Sequence, residues 1–208
     1  MNRRSLLASA LALASLPAYA RSKADRPFDE DSSSAQAIAA RDKRPNVYLL
    51  RGFGDIFSTG IDEIGASLQA SGVDAQVKSH TAWRFIANRI VSDRAKYGPQ
   101  ATVLIGHSLG ANAIISTAEV LEKKDIRVDY IASFAATAPD PLPGNIRWAV
   151  NFYFSQDGWG RALEPGPRFN GKLDNRDFSD VKDVGHFNIE KQRPLQAEVV
   201  RNVLSIVK

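Results

Sequence analysis

The sequence predicts a single-domain α/β fold, a three-layer sandwich in which helices cover both faces of a mostly parallel sheet. From Asn46 onward, short runs rich in Val, Ile, Tyr and Phe alternate with stretches whose apolar residues recur at spacings of three and four. The chain has 208 residues, 44% of them hydrophobic and 24% charged, which is enough to bury one sizeable core. No repeat of fixed period and no second composition regime marks another domain.

The elements follow in order. The first strand candidate covers residues 47–50, and Ile61, Ile64 and Leu68 then share one face of a helix. Thr59 followed by Asp62 has the spacing of a capping box at the start of that helix, and Gly72 suits its C-terminal stop. A strand over 73–77 precedes a helix with Trp83, Ile86 and Ile90 on its buried face. A third strand, 102–105, precedes a helix that buries Ile114, Ala118 and Leu121. Strands at 130–134 and 148–154 and a weaker one near Phe178 complete the sheet, and Leu195, Val199 and Val203 belong to a final helix.

The first 20 residues have a different character. Arg3 and Arg4 are followed by an apolar run rich in Leu and Ala and then by Pro-Ala-Tyr-Ala, the pattern of a signal peptide cleaved after Ala20. The apolar run of about a dozen residues is too short for a membrane anchor, which needs roughly 20. Export to the periplasm or the exterior is the expectation, and the Arg3-Arg4-Ser5-Leu6-Leu7 start also fits a twin-arginine signal. Residues 21–44, with Ser32, Ser33 and Ser34 among mixed charges, read as a solvated lead-in, so the folded domain is expected over 45–208.

Composition narrows the function classes. Net charge is +4 for the whole chain, about +2 once the signal is removed, and no cluster or stripe of Lys and Arg suggests nucleic acid. With no cysteine, thiol catalysis, Cys-based zinc sites and disulfides are excluded. Neither a metal nor an organic cofactor is implied. Gly52-Phe53-Gly54 lacks the third glycine of a dinucleotide fingerprint, since Phe57 holds that place, and there is no phosphate-binding P-loop.

One motif carries chemistry. Val103-Leu104-Ile105 runs into Gly106-His107-Ser108-Leu109-Gly110 and then into a helical stretch, so Gly-x-Ser-x-Gly sits between a buried strand and a helix start. A serine on so sharp a turn has its hydroxyl exposed at the strand's C-terminal edge, with helix N–H groups facing any oxyanion that forms. The alternative is a plain glycine-rich turn. A serine hydroxyl also needs a base, and a third group to hold the base. Of three histidines, His107 adjoins the serine in the turn and reads as structural, and His80 ends the second strand as a loop histidine. His186 follows the last strand candidate and is the expected base. Asp157, at the C-terminal end of the 148–154 strand, is the expected acid, with Asp140 the runner-up; Asp174, Asp180 and Asp183 read better as solvated loop residues. The chain order is then Ser108, Asp157, His186. Phe53, in the glycine-containing turn after the first strand, and Leu109 are the expected oxyanion N–H donors, although Gly52 and Gly54 also suit an ordinary tight turn.

These residues resemble the α/β-hydrolase superfamily, in particular its small lidless lipases, esterases and thioesterases, over roughly 46–208. The most specific part is Ile105-Gly106-His107-Ser108-Leu109-Gly110-Ala111, supported by Asp157, Gly185-His186 and Arg51-Gly52-Phe53-Gly54. The family's oxyanion turn often begins His-Gly, where this chain has Arg51-Gly52. Only residues 137–145 separate two successive strands where a cap would be inserted, so the resemblance implies an α/β-hydrolase-like sandwich without a cap domain.

The resulting expectation is an exported, monomeric serine hydrolase that cleaves a small-molecule or lipid-like ester or thioester, its mature chain having no membrane span. Its activity should fall as the pH drops through the imidazole range. Residues 158–171, which include Trp159, are expected to wall an open pocket. Arg51 is a candidate for binding an anionic group on the substrate, and Trp159 for lining its acyl part. Two alternatives remain at this point: an acyltransferase using the same serine, and a noncatalytic binding protein on the same fold.

Overall fold

The computed structural model describes residues 44–156 and 159–208; the expected signal segment, nearly all of the lead-in, and Asp157 lie outside them. Six strands form one sheet: β1 (Asn46–Arg51), β2 (Ala75–Ser79), β3 (Thr102–His107), β4 (Tyr130–Phe134), β5 (Trp148–Tyr153) and β6 (Lys172–Asp177). The order across the sheet is β2-β1-β3-β4-β5-β6, and every neighbouring pair is parallel. The helices are α1 (Thr59–Ala70), α2 (Trp83–Tyr97), α3 (Leu109–Glu122) and α4 (Arg193–Val207).

Side-chain alternation along the strands makes the three layers. Val47, Leu49, Val103 and Ile105 pack against Ile61, Ile64 and Leu68 of α1 and Leu195, Val199 and Val203 of α4. Tyr48, Leu50, Leu104 and Ile131 face the other way, onto Ile86 and Ile90 of α2 and Ile114, Ala118 and Leu121 of α3. A sheet buried on both faces reads as continuous apolar strands, which is why β1 and β3 stand out in the sequence.

Three local expectations are corrected. The second strand begins at Ala75, because Gly72 N–H bonds to Gln69 C=O and Val73 N–H to Leu68 C=O. Those two bonds form a Schellman motif, with Gly72 at φ +82° and Val73 buried beside the helix end. The capping box does not form: Ser58, the residue before α1, makes no side-chain cap, and the Asp62 carboxylate binds Arg51. The weak strand near Phe178 lies at Lys172–Asp177 and ends just before that phenylalanine. No helix among the described residues is long and apolar enough to cross a membrane.

Two glycines fix the join between β3 and α3. A Cβ on Gly106 would lie 2.3 Å from the Gly110 carbonyl oxygen, and one on Gly110 would lie 2.1 Å from the Leu50 carbonyl oxygen. Any side chain at either place would push the helix start off the sheet. Between them Ser108 has φ 57° and ψ −121°, a conformation that costs a non-glycine residue on the order of 1–3 kcal/mol. Its N–H is tied to Phe134 C=O at 2.9 Å, so the strained residue is held from β4 as well.

Candidate active site

Ser108 sits on the strained turn at the C-terminal edge of the sheet, and the loop after β6 brings His186 over it. His186 Nε2 lies 3.0 Å from Ser108 Oγ, and both residues are buried. His186 Nδ1 is 2.5 Å from the backbone oxygen of Trp159. A carbonyl only accepts, so the neutral ring carries its proton on Nδ1, and Nε2 is left to accept from the serine hydroxyl. This is the tautomer a general base requires.

His107, next to the serine, faces inward as its position in the turn implies. Its Nε2–H donates to the His186 backbone carbonyl at 2.7 Å, which leaves Nδ1 to accept from Ser58 Oγ at 2.8 Å. Ser58 Oγ in turn accepts the Gly52 N–H at 2.9 Å. Three segments, the turn after β1, the elbow and the His186 loop, are thereby linked through one buried imidazole. Burial holds that imidazole well below its usual 6.5, at about 4, so it stays neutral. Reading the sequence identified His107 as structural but gave no sign of Ser58, since a lone serine before a helix normally signals a cap.

The turn after β1 is held on both sides. The Gly52 carbonyl accepts from His80 Nδ1 at 3.2 Å, and a Cβ built on Gly52 would lie 3.0 Å from Ser108 Cβ. In a trans peptide the N–H points opposite the C=O. The bond to His80 therefore directs the Phe53 N–H to the other side of the turn, while the first N–H groups of α3, Leu109 among them, have no partner within the helix.

The remaining expected site residues are distributed as follows. The Trp159 ring stacks edge-on against His186, with centroids 5.2 Å apart. Arg51 is bound through Nε and Nη2 to both oxygens of Asp62, and that pairing raises its pKa. Its charge is directed at α1, and it does not line the groove above Ser108. Asp140 is exposed and adds to burial in raising the pKa of Glu119, while the His186 Nδ1 that it would hold is bonded to the Trp159 carbonyl. Asp157 lies outside the described residues. Two residues before it, Ser155 donates to the Asp177 carboxylate, which also accepts from Ser179 and is held below the usual carboxylate range by these bonds, Ser155's first. That network anchors the start of the loop that carries the Trp159 carbonyl.

Ser108 and His186 open onto a groove of about 580 Å³ lined by Phe53, Phe57, Leu109, Thr137, Trp159 and Phe187 as well as Ser58 and His107. Among the described residues, no Lys, Arg, Asp or Glu lines it. A larger hollow of about 780 Å³ at the opposite edge of the sheet, among Arg94, Arg127, Arg147 and Lys172, has no histidine in its wall. Among the described residues, no cluster of His, Asp and Glu could hold a metal ion.

Behind the site, Glu190 is fully buried and, among the described residues, neither carboxyl oxygen has a hydrogen-bond partner; Oε2 is 3.7 Å from His107 Nε2 and Oε1 3.8 Å from Lys191 Nζ. Burial raises its pKa from 4.5 to about 7. Between those values the folded state holds a proton that the unfolded chain has released, so folding stability falls as the pH rises through that window. Glu190→Gln should remove up to about 3 kcal/mol of that loss. Urea unfolding of both proteins at pH 4 and pH 8 measures this, and an unchanged difference between them at the two pH values would rule it out.

A fully parallel sheet with a strained strand–turn–helix serine at its C-terminal edge, met by a histidine from the loop before the last helix, is the arrangement of the α/β-hydrolase fold. No family model and no curated protein matches the sequence. Among solved structures the chain is similar to a protein from Xanthomonas campestris pv. campestris described as a "putative hydrolase of the alpha/beta superfamily", at 17% identity and a TM-score of 0.46, over 78% of this chain and 99% of that one.

Proposed function

We propose that the protein is an exported serine hydrolase that cleaves a carboxylic ester or thioester through an acyl-enzyme. The observation that carries this reading is the 3.0 Å contact between Ser108 Oγ and His186 Nε2, on a serine held at φ 57°. Ser108 Oγ attacks the acyl carbonyl as His186 Nε2 takes its proton, and the negative charge on the carbonyl oxygen falls to the Leu109 and Phe53 N–H groups. The bond to the leaving alcohol or thiol then breaks, and His186 returns the proton to it. Water repeats the sequence on the acyl-serine and releases the acid. The Trp159 carbonyl keeps the imidazole in register, and Asp157, two residues earlier on the same loop, is the proposed carboxylate that offsets the imidazolium charge. Trp159 is also the proposed contact for the acyl part, in a groove where no charged side chain among the described residues forms a wall. Cleavage of the N-terminal segment after Ala20 and export are part of the same proposal.

The test is intact mass after incubation with a fluorophosphonate, which reacts with an activated serine and needs little substrate specificity. One adduct is expected on the native chain and none on Ser108→Ala. A folded native protein that takes no adduct would favour a noncatalytic binding role.

A further inference from the structure

Thr137, in the loop after β4, lines the groove above Ser108 but has no part in the acyl transfer. One side chain fixes its loop. Asn112 Oδ1 accepts the Thr137 and Ala138 N–H groups, each at 3.1 Å, and Asn112 Nδ2 donates to Thr137 Oγ1 at 2.9 Å. Two backbone donors can meet only an oxygen, so the amide has one orientation and its nitrogen faces the hydroxyl. Asn112 stands one turn of α3 from the elbow, with its N–H bonded to Ser108 C=O at 3.2 Å. Ala135, two residues before Thr137, is held at φ 50°, a left-handed conformation that strains a non-glycine residue, and its N–H bonds to Phe152 C=O at 2.8 Å. Thr137 is thereby tied both to the helix of the nucleophile and to the sheet.

Those bonds determine what the hydroxyl can still do. A threonine hydroxyl accepts through its oxygen and donates its one hydrogen. Asn112 uses the oxygen, and among the described residues the hydrogen has no acceptor. The other hydroxyls and imidazoles of the groove are engaged: Ser58 and His107 with each other, with the Gly52 N–H and with the His186 carbonyl, and Ser108 with His186. Two charged groups stand near the groove without lining it. Asp55, in the turn after β1, acts on Arg51, and Lys191 Nζ donates to Phe187 C=O at 2.9 Å; neither is hydrogen-bonded to Thr137. In a largely apolar groove, a single placed donor of this kind fixes the orientation of a ligand that brings the acceptor. We infer that Thr137 selects esters that carry a second oxygen acceptor, an ether, hydroxyl or carbonyl, close to the scissile carbonyl, and that Asn112 sets Thr137 as the donor. The inference rests on the serine hydrolase reading and adds the substrate class to it.

The probes are two pairs of esters matched in size, in which oxygen replaces one methylene: p-nitrophenyl butyrate and p-nitrophenyl methoxyacetate for the acyl side, butyl acetate and 2-methoxyethyl acetate for the alcohol side. The readout is the ratio of kcat/KM within each pair, in which a general loss of activity or of folded protein cancels. In one pair, Thr137→Val should shift the ratio against the ester with the extra oxygen by roughly three- to tenfold, the effect of losing one neutral hydrogen bond. Thr137→Ser keeps the hydroxyl and should stay within about twofold of the native ratio. Asn112→Asp tests the direction of the bond. A carboxylate only accepts, so it keeps both backbone bonds but turns the Thr137 hydrogen onto itself, and the ratio should fall as in Thr137→Val with the threonine still present. The pair that responds identifies the half of the substrate that carries the oxygen. Native ratios in Thr137→Val for both pairs, or an equal fall in Thr137→Ser, would overturn the inference, and a native ratio in Asn112→Asp would overturn the part given to Asn112. Native protein that cleaves none of the four esters would refute the serine hydrolase reading and this inference with it, whereas cleavage of all four with unmoved ratios would refute this inference alone.

Discussion

His186→Ala is expected to lower kcat/KM on a neutral ester by about 10⁴-fold or more, nearly all of it in kcat. Among the described residues, the side chain removed is the one polar group hydrogen-bonded to Ser108 Oγ that can take a proton: His107, the neighbouring imidazole, has both ring nitrogens occupied by Ser58 and the His186 carbonyl. His107 therefore cannot substitute. KM should move little, because the apolar walls that would hold an acyl group remain. Fold should be retained, with a cavity left under Trp159 and Phe187, whose rings touch the imidazole. Steady-state kinetics on p-nitrophenyl acetate, with the same variant tested for fluorophosphonate labelling, measures both consequences. A drop of less than tenfold would take His186 out of the base role.

Most of the fold could be read from the sequence, because a sheet covered on both faces writes long apolar strands and its helices carry apolar residues at spacings of three and four. β6 is the instructive exception. Its sequence, Lys172-Leu173-Asp174-Asn175-Arg176-Asp177, is polar because it lies at the sheet edge, where charge discourages pairing with another chain. Its backbone pairs with β5 along the whole strand, and side chains add to that pairing: Asn175 is in register with Asn151 and accepts from it at 2.9 Å, and Asn175 Nδ2 also donates to Leu163 C=O at 2.9 Å. No hydrophobic pattern marks such a strand.

In the site, Ser108 and His186 were identifiable by residue type and order, since only three histidines exist and only one follows the last strand. The contact that holds His186 was not, because a backbone carbonyl has no identity in a sequence. Arg51 shows the opposite failure: its position beside the turn suggested a ligand, but the Asp62 carboxylate one helical turn into α1 reaches it first.

His107→Leu is expected to destabilise the fold by roughly 2–6 kcal/mol, because it strands two buried groups, the Ser58 hydroxyl and the His186 carbonyl, at about 1–3 kcal/mol each. The effect should reach the chemistry as well. The His186 loop loses one of its two anchors, and a displacement of the base by about 1 Å costs on the order of 10² in kcat with little change in KM. His107→Gln separates the two effects, since its amide can donate to the His186 carbonyl and accept from Ser58, and it should recover much of the kcat. The pH behaviour gives an independent check. Burial keeps native His107 neutral to about 4, while the unfolded chain takes up a proton below about 6.5. The His107 contribution to stability should therefore fall as the pH drops from about 6.5 to 4, against the opposite contribution of Glu190, and His107→Gln should remove that part of the pH dependence. For the same reason, His107 contributes no acid limb to the rate above about pH 5, and any limb there must come from another group. If His107→Leu is less stable but, counted per labelled serine, turns over as fast as native protein, the imidazole supports the fold without positioning the base.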